Sequence, residues 1–167
     1  MEIKTASNRM YSIIALYDLD TTFLPKAIEG ISDKDAHNRL NTKANHVAWL
    51  TGSFVSERYE MAKALGVRQK NPTTLELFKD HKGIQDNVTY PSLAEFKKDL
   101  ENISPQLRAA MSNMSDEKLN SQVDMPGPGP KMTFYELITF MTYRESNIIG
   151  QIALYRRLMG YDAINYM

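Results

Sequence analysis

The sequence predicts an all-α fold, a four-helix bundle with a long connection between its second and third helices. Three observations predict it. Four long segments repeat apolar residues at helical spacing, capping residues or glycines stand at their ends, and nothing reads as a strand.

The first segment runs from about Ser7 to Ile28 along Met10, Ile13, Ile14, Tyr17, Leu24, Ala27 and Ile28, with Gly30 as its stop. The second begins near Ser32, where Asp35 three residues on suggests a capping box with Asp in place of Glu. It can extend to Leu65, with Asn41-Thr42 as a candidate break. Val47, Leu50, Phe54, Met61 and Leu65 form its stripe. Residues 67–91 read as a polar connection punctuated by Asn71-Pro72, Gly83 and Pro91. A connection this long lets the helices on either side run parallel, which a simple hairpin bundle does not need.

Ser92 opens the third helix, whose stripe runs through Leu93, Phe96, Leu100, Ile103, Leu107, Ala110, Met111 and Met114. Pro105 within it either kinks one helix or starts another behind Ser104, and the unbroken register favours the kink. A short helical turn follows from Ser115. Pro126 to Pro130, PGPGP, is a rigid non-helical link. Thr133, with Glu136 three residues later, caps the last helix. Its stripe is Phe134, Leu137, Ile138, Met141, Ile148, Ile152, Tyr155 and Leu158, and Gly160 ends it.

One domain, residues 1–167, suits this length and can bury a core without staples. The chain has no cysteine, which excludes disulfides and thiolate chemistry and fits a cytoplasmic protein. Its 20 Lys+Arg balance 20 Asp+Glu, whereas nucleic-acid binders carry a net basic face, so no nucleic-acid partner is expected. MEIKTASNRM predicts no signal peptide, and no apolar run reaches the length of a membrane span.

The three histidines, His37, His46 and His81, are not paired at a spacing that puts two imidazoles on one helix face. His37 and His81 read as solvated. His46, read as mid-helix and three residues before the sole tryptophan Trp49, is either a satisfied structural histidine or a ligand. One histidine alone makes a poor zinc site. In the last helix Arg144 falls on the line between Met141 and Ile148, beside Glu145, with Gln151 just beyond. An arginine facing a core needs an acceptor, since an unpaired buried charge is costly. Glu57, on the same face as Ser53, and Glu60 are the candidates on the second helix. The alternative is a slightly rotated helix from which Arg144 snorkels outward. Ser53 sits in GSF, which is not a nucleophile elbow. The C-terminal Tyr155, Tyr161 and Tyr166 either cap the bundle or cover a partner surface.

NHVAWLTGSFVSERYEMAKALG (Asn45 to Gly66) and MTYRESNIIGQIALYRRLMG (Met141 to Gly160), with YPSLAEFKKDL between them, resemble the DinB/YfiT-like superfamily over most of the chain. The resemblance implies a four-helix bundle, often a homodimer, in which many members bind a divalent metal through three histidines. Some are thiol-dependent transferases or hydrolases. Carried over residue by residue, those histidines fall at Ser53, Arg144 and Ile148, while Glu145, Gly150 and Gln151 match. The expected function is therefore a metal-free cleft built from His46, Ser53, Glu57, Arg144, Glu145 and Gln151, with no cofactor, binding a small, anionic ligand or serving a dimeric module. The alternative is a transferase or hydrolase holding one divalent metal (Zn, Ni or Mn) through His46 and carboxylates.

Overall fold

Caps and glycines divide the chain into helices much as the spacing predicts. A computed structural model describes residues 3–124 and 131–166, except for the side chain of His81. The PGPGP link lies outside the described residues. Ser7 caps a single 3-10 turn, Asn8–Met10, which leads into α1, Tyr11–Ile28. The second segment does break: α2 is only Asp33–Ala36, and α3 starts at Val47 and runs to Ala64. Leu40 and Asn41 between them take left-handed φ values of 53° and 57°, which no α-helix accommodates. His46 is therefore the N-cap of α3 and not a mid-helix residue. Its Nδ1 accepts the Trp49 N–H at 3.1 Å.

The 67–91 connection is more structured than its polarity suggests. Thr73–His81 forms 3-10 turns that bury Leu75 and Phe78, and Tyr90 is buried just before α4, Leu93–Ser112. α4 runs through Pro105 without a break, and its Ser92–Glu95 capping box is complete. A short α5, Asp116–Asn120, follows Ser115. The Thr133–Glu136 box opens α6, Phe134–Leu158. Beyond it Gly160 takes φ +86°, so that the Tyr161 N–H can return to the Arg156 carbonyl at 3.0 Å.

The four long helices contact one another in a ring, α1–α6–α3–α4. Cross-helix contacts give their directions. Asp20 meets Ser146 and Ala27 meets Arg156, so α1 and α6 run parallel. His46 lies on Tyr90 at the start of α3 and α4, and Arg58 meets Ser104 further along, so these two are also parallel. The long connection makes that possible. Asp18–Arg108 and Ala6–Ser112 set α1 antiparallel to α4, and α6 runs antiparallel to α3, since Arg144 meets Glu57 midway while Tyr161 beyond the end of α6 meets Asp35 of α2, ahead of the start of α3.

The buried apolar side chains form one cluster, with Tyr17, Leu24, Phe54, Phe96, Ile103, Leu107 and Ile152 at its centre. Leu158, expected in the core, is 62% exposed, because the stripe of α6 turns away before its last residue. Among the described residues the only β-bridge joins Gln122 to Thr133, and no helix is long and apolar enough to cross a membrane.

Gly52 marks the tightest approach in the core. A Cβ there would lie 2.7 Å from the Phe96 ring and closer still to that of Phe78. Alanine normally strengthens a helix interior by about 0.5–1 kcal/mol over glycine. Here overpacking of about 1–3 kcal/mol outweighs it. Gly52→Ala is expected to lower unfolding free energy in urea and to loosen the Thr73–His81 turns that carry Phe78. A gain in stability would show that the rings move aside freely.

Candidate functional site

Residues 49, 53, 56, 57 and 60 recur at helical spacing and give α3 one polar face beside α6. Trp49, Ser53, Ser56, Glu57 and Glu60 from that face line a cleft of about 70 Å³, with Phe78 and Lys82 from the connection and Arg144 from α6. Arg144 Nε donates to both Glu57 oxygens at 3.1 Å, and Nη2 donates to Oε1 at 2.5 Å. Ser53 Oγ donates to the same oxygen at 3.2 Å. Glu57 is nearly covered and Arg144 is 41% exposed, so the pair spans the boundary between core and solvent. The Glu57 hydrogen bonds raise the Arg144 guanidinium further above its ordinary value. Trp49 forms part of the wall, and its buried Nε1–H finds no acceptor among the described residues.

Of the two acceptors expected for Arg144, Glu57 is the one it meets, and the helix is also rotated as the alternative has it, so that the core-facing line of α6 differs from the one the spacing suggests. From Met141 the core-facing positions continue through Glu145 to Ile148, Ile152 and Tyr155. Glu145, 1% exposed, is the residue that faces inward, and Arg144 stands at its edge. Glu145 meets Arg58, which is fully buried. Nε and Nη2 donate to its two oxygens at 2.9 and 2.7 Å, while Nη1 donates to Thr21 Oγ1 at 2.9 Å and Ser104 Oγ at 2.7 Å. The Tyr17 ring lies 4.0 Å below the guanidinium, and burial pushes the Tyr17 phenol up to about 12. All four long helices thus contribute to one polar knot.

Burial alone would discharge both partners, raising the Glu145 carboxyl and lowering the guanidinium. Two parallel N–H···O bonds require a carboxylate, and that carboxylate holds Arg58 above its ordinary value, so the pair is charged. Sequence reasoning misses Arg58. The available signal is the heptad phase: once Glu145 is placed on the stripe, a cation on a facing helix is required. Asp20, also missed, accepts from Ser146 Oγ at 3.0 Å, and burial pushes its carboxyl up to about 6.

The other candidates lie apart from the cleft. Gln151 is exposed and donates to Asn147 of its own helix at 2.7 Å. His46 is buried against Tyr90 and His37, with ring centroids 5.1 Å away in each case, and burial pushes it down to about 4. His37 is not simply solvated, since its ring nitrogens approach the Asp33 and Tyr90 carbonyls. The side chain of His81 lies outside the described residues. Tyr161 bonds Asp35 and Ser32, closing the end of α6 onto α2.

Positions 53, 144 and 148 do not suit a divalent cation. Arg144 would repel one, Ile148 is a buried hydrocarbon, and Ser53 is a neutral hydroxyl engaged with Glu57. Among the described residues no group of three His, Asp or Glu could hold a metal ion. No family model, curated protein or solved structure matches the chain.

Proposed function

We propose that this chain is a DinB-like four-helix bundle with a metal-free site, a homodimer that binds a small anionic ligand at Arg144, with a carboxylate as the simplest fit. The observation that carries this reading is the meeting of Ser53, Glu57 and Arg144 in one cleft. The resemblance assigns metal ligands to positions 53 and 144, and here a fixed cation stands at 144 where a metal-binding imidazole is expected. The ring of long helices, with a parallel second and third long helix after a long connection, supports the bundle type.

Arg144 spends Nε and one side of Nη2 on Glu57, and its other N–H donors remain to meet an oxyanion. Lys82 adds a second cation at the rim, and the Ser53 and Ser56 hydroxyls add neutral groups. Glu57 competes for the same guanidinium, so binding is weak and salt-sensitive. The volume limits the ligand to a few heavy atoms.

Trp49 is the sole tryptophan and lines the cleft, so its fluorescence reports binding directly. Sodium acetate is expected to change that emission saturably where sodium chloride at equal ionic strength does not, and Arg144→Gln abolishes the difference. Identical responses to the two salts would sink the reading. So would stoichiometric zinc, nickel or manganese in untagged protein, lost on His46→Ala, which would favour the metal-dependent alternative instead.

A further inference from the structure

We infer that the outer face of α1 and α6 is the surface on which a second copy of this chain packs. The inference rests on the homodimer in the reading above and gives it a place. The two helices lie side by side and parallel, joined at their seam by Ser146–Asp20 and by Arg156 on the Ala27 carbonyl. Outward from that seam α1 presents Leu16 and Leu19, and α6 presents Phe140, Tyr143, Leu154 and Leu158, all between 47% and 65% exposed. Tyr166, 54% exposed, folds back onto Phe23 and extends the patch.

The polar residues of the face are as informative as the apolar ones. A solvent-facing helix stripe ordinarily carries charges. From Ser146 to Tyr155 α6 carries none, and its outward polar residues there are Asn147 and Gln151. On α1 the outward positions 12, 15, 16, 19, 22 and 23 are likewise uncharged, Asp18 is turned to Arg108 of α4, and Lys26 at the end of the stripe donates to the Asn165 carbonyl at 3.1 Å. Depletion of charge with enrichment of aromatic residues is the signature of an interface core. Gly150 stands at the middle of the α6 stripe. Glycine weakens a helix interior relative to alanine. Among the described residues nothing beyond its own helix backbone and chain neighbours lies within 4 Å of where its Cβ would be, so packing within one copy does not account for it.

Area and charge together point to a second copy. At roughly 100 Å² exposed for each half-exposed large side chain, the seven supply about 700 Å². With Asn147, Gly150 and Gln151 between them, the patch approaches the roughly 800 Å² per partner of a standard interface. It exceeds the few hundred Å² usual for a contiguous apolar patch on a monomer. A charged partner would be steered by complementary charge along the whole face, whereas the charges within this one, Lys26 and Arg157, stand together at its C-terminal end. Two copies packed antiparallel about a two-fold axis bring the uncharged middle of each stripe together and hold the Lys26 and Arg157 ends apart. Phe140 at the patch edge lies 6.0 Å under the Arg144 guanidinium, so this interface would border the cleft.

Light scattering or sedimentation across a range of concentrations tests the assignment. The wild type is expected at twice the chain mass, and Leu154→Arg and Tyr143→Lys at the single-chain mass with unchanged far-ultraviolet spectra, since both side chains are exposed in one copy. Gly150→Ala is expected to raise the melting temperature at concentrations where the protein is monomeric, yet weaken association. A wild type at the single-chain mass throughout overturns the homodimer along with its surface and leaves the acetate result to stand or fall alone. Folded arginine and lysine variants that keep twice the mass overturn this face and leave the homodimer.

Discussion

Replacing Arg58 by methionine is expected to cost about 3–5 kcal/mol of unfolding free energy, the usual loss when one partner of a buried ion pair is removed. The cause is the group left behind. Glu145 is 1% exposed, and both its oxygens are bonded to Arg58. Without the guanidinium it must stay charged in a hydrocarbon setting or take up a proton. Burial already pushes its carboxyl up, so it takes the proton. Thr21 and Ser104 also lose a donor, but each still donates to a carbonyl of its own helix, Tyr17 and Leu100 respectively. The double variant Arg58→Met with Glu145→Leu removes both charges and is expected to recover most of the loss. Arg144→Met, in a half-exposed pair with Glu57, is expected to cost no more than about 1 kcal/mol. Urea unfolding of the four proteins decides the matter. An Arg58→Met cost as small as that of Arg144→Met would mean that water reaches the knot. A double variant no better than the single would mean that Arg58 matters chiefly for its bonds to Thr21 and Ser104.

The helices are legible in the sequence because caps act locally. Ser92–Glu95 and Thr133–Glu136 form complete boxes, and Gly160 stops α6 where expected. The α2–α3 break shows only as a candidate at Asn41-Thr42, since the left-handed turn there includes Leu40, a residue that does not advertise it. His46 is misplaced by the spacing for the same reason: whether a histidine caps a helix or lies inside it depends on where the break falls. In the candidate site, charge and spacing narrow the partner of Arg144 to Glu57 or Glu60 and leave open a rotated helix. Arg58 with Glu145 does not follow from them, because a single-step error in the phase of α6 exchanges which of two adjacent residues faces the core. The 70 Å³ cleft depends on Phe78, whose docking comes from a segment that reads as polar loop.

Removing Asp20 and removing His46 are expected to tilt the pH dependence of stability in opposite directions. The Asp20 carboxyl is pushed by burial from an ordinary 3.8 up to about 6. Between those values the folded chain holds a proton that the unfolded chain has released, so the associated stability is full below about pH 4 and is lost as pH rises through about 6. The His46 imidazole is pushed down by burial, and further by His37 beside it, from 6.5 to about 4. There the unfolded chain binds the extra proton, so stability is full above pH 6.5 and is lost as pH falls toward 4. Each shift of about two units corresponds to about 3 kcal/mol at most, and solvent access to either group reduces it. Asp20→Asn keeps an acceptor for Ser146, and His46→Asn keeps a good N-cap for the Trp49 N–H. Relative to wild type, stability of the Asp20→Asn variant should therefore climb more steeply from about pH 4.5 to 6.5, and that of the His46→Asn variant should climb less or fall. The carboxylates held low by hydrogen bonds, Asp35, Glu95 and Glu136, titrate below this window, and Glu145, whose charge helps to raise Asp20, contributes alike to the wild type and His46→Asn and is relieved of that repulsion in Asp20→Asn, which acts in the same direction. Urea midpoints across the window test both signs at once. Parallel curves for the three proteins would mean that neither group is held from its ordinary titration, and that the seam at Ser146 and the start of α3 are wetter than their packing implies.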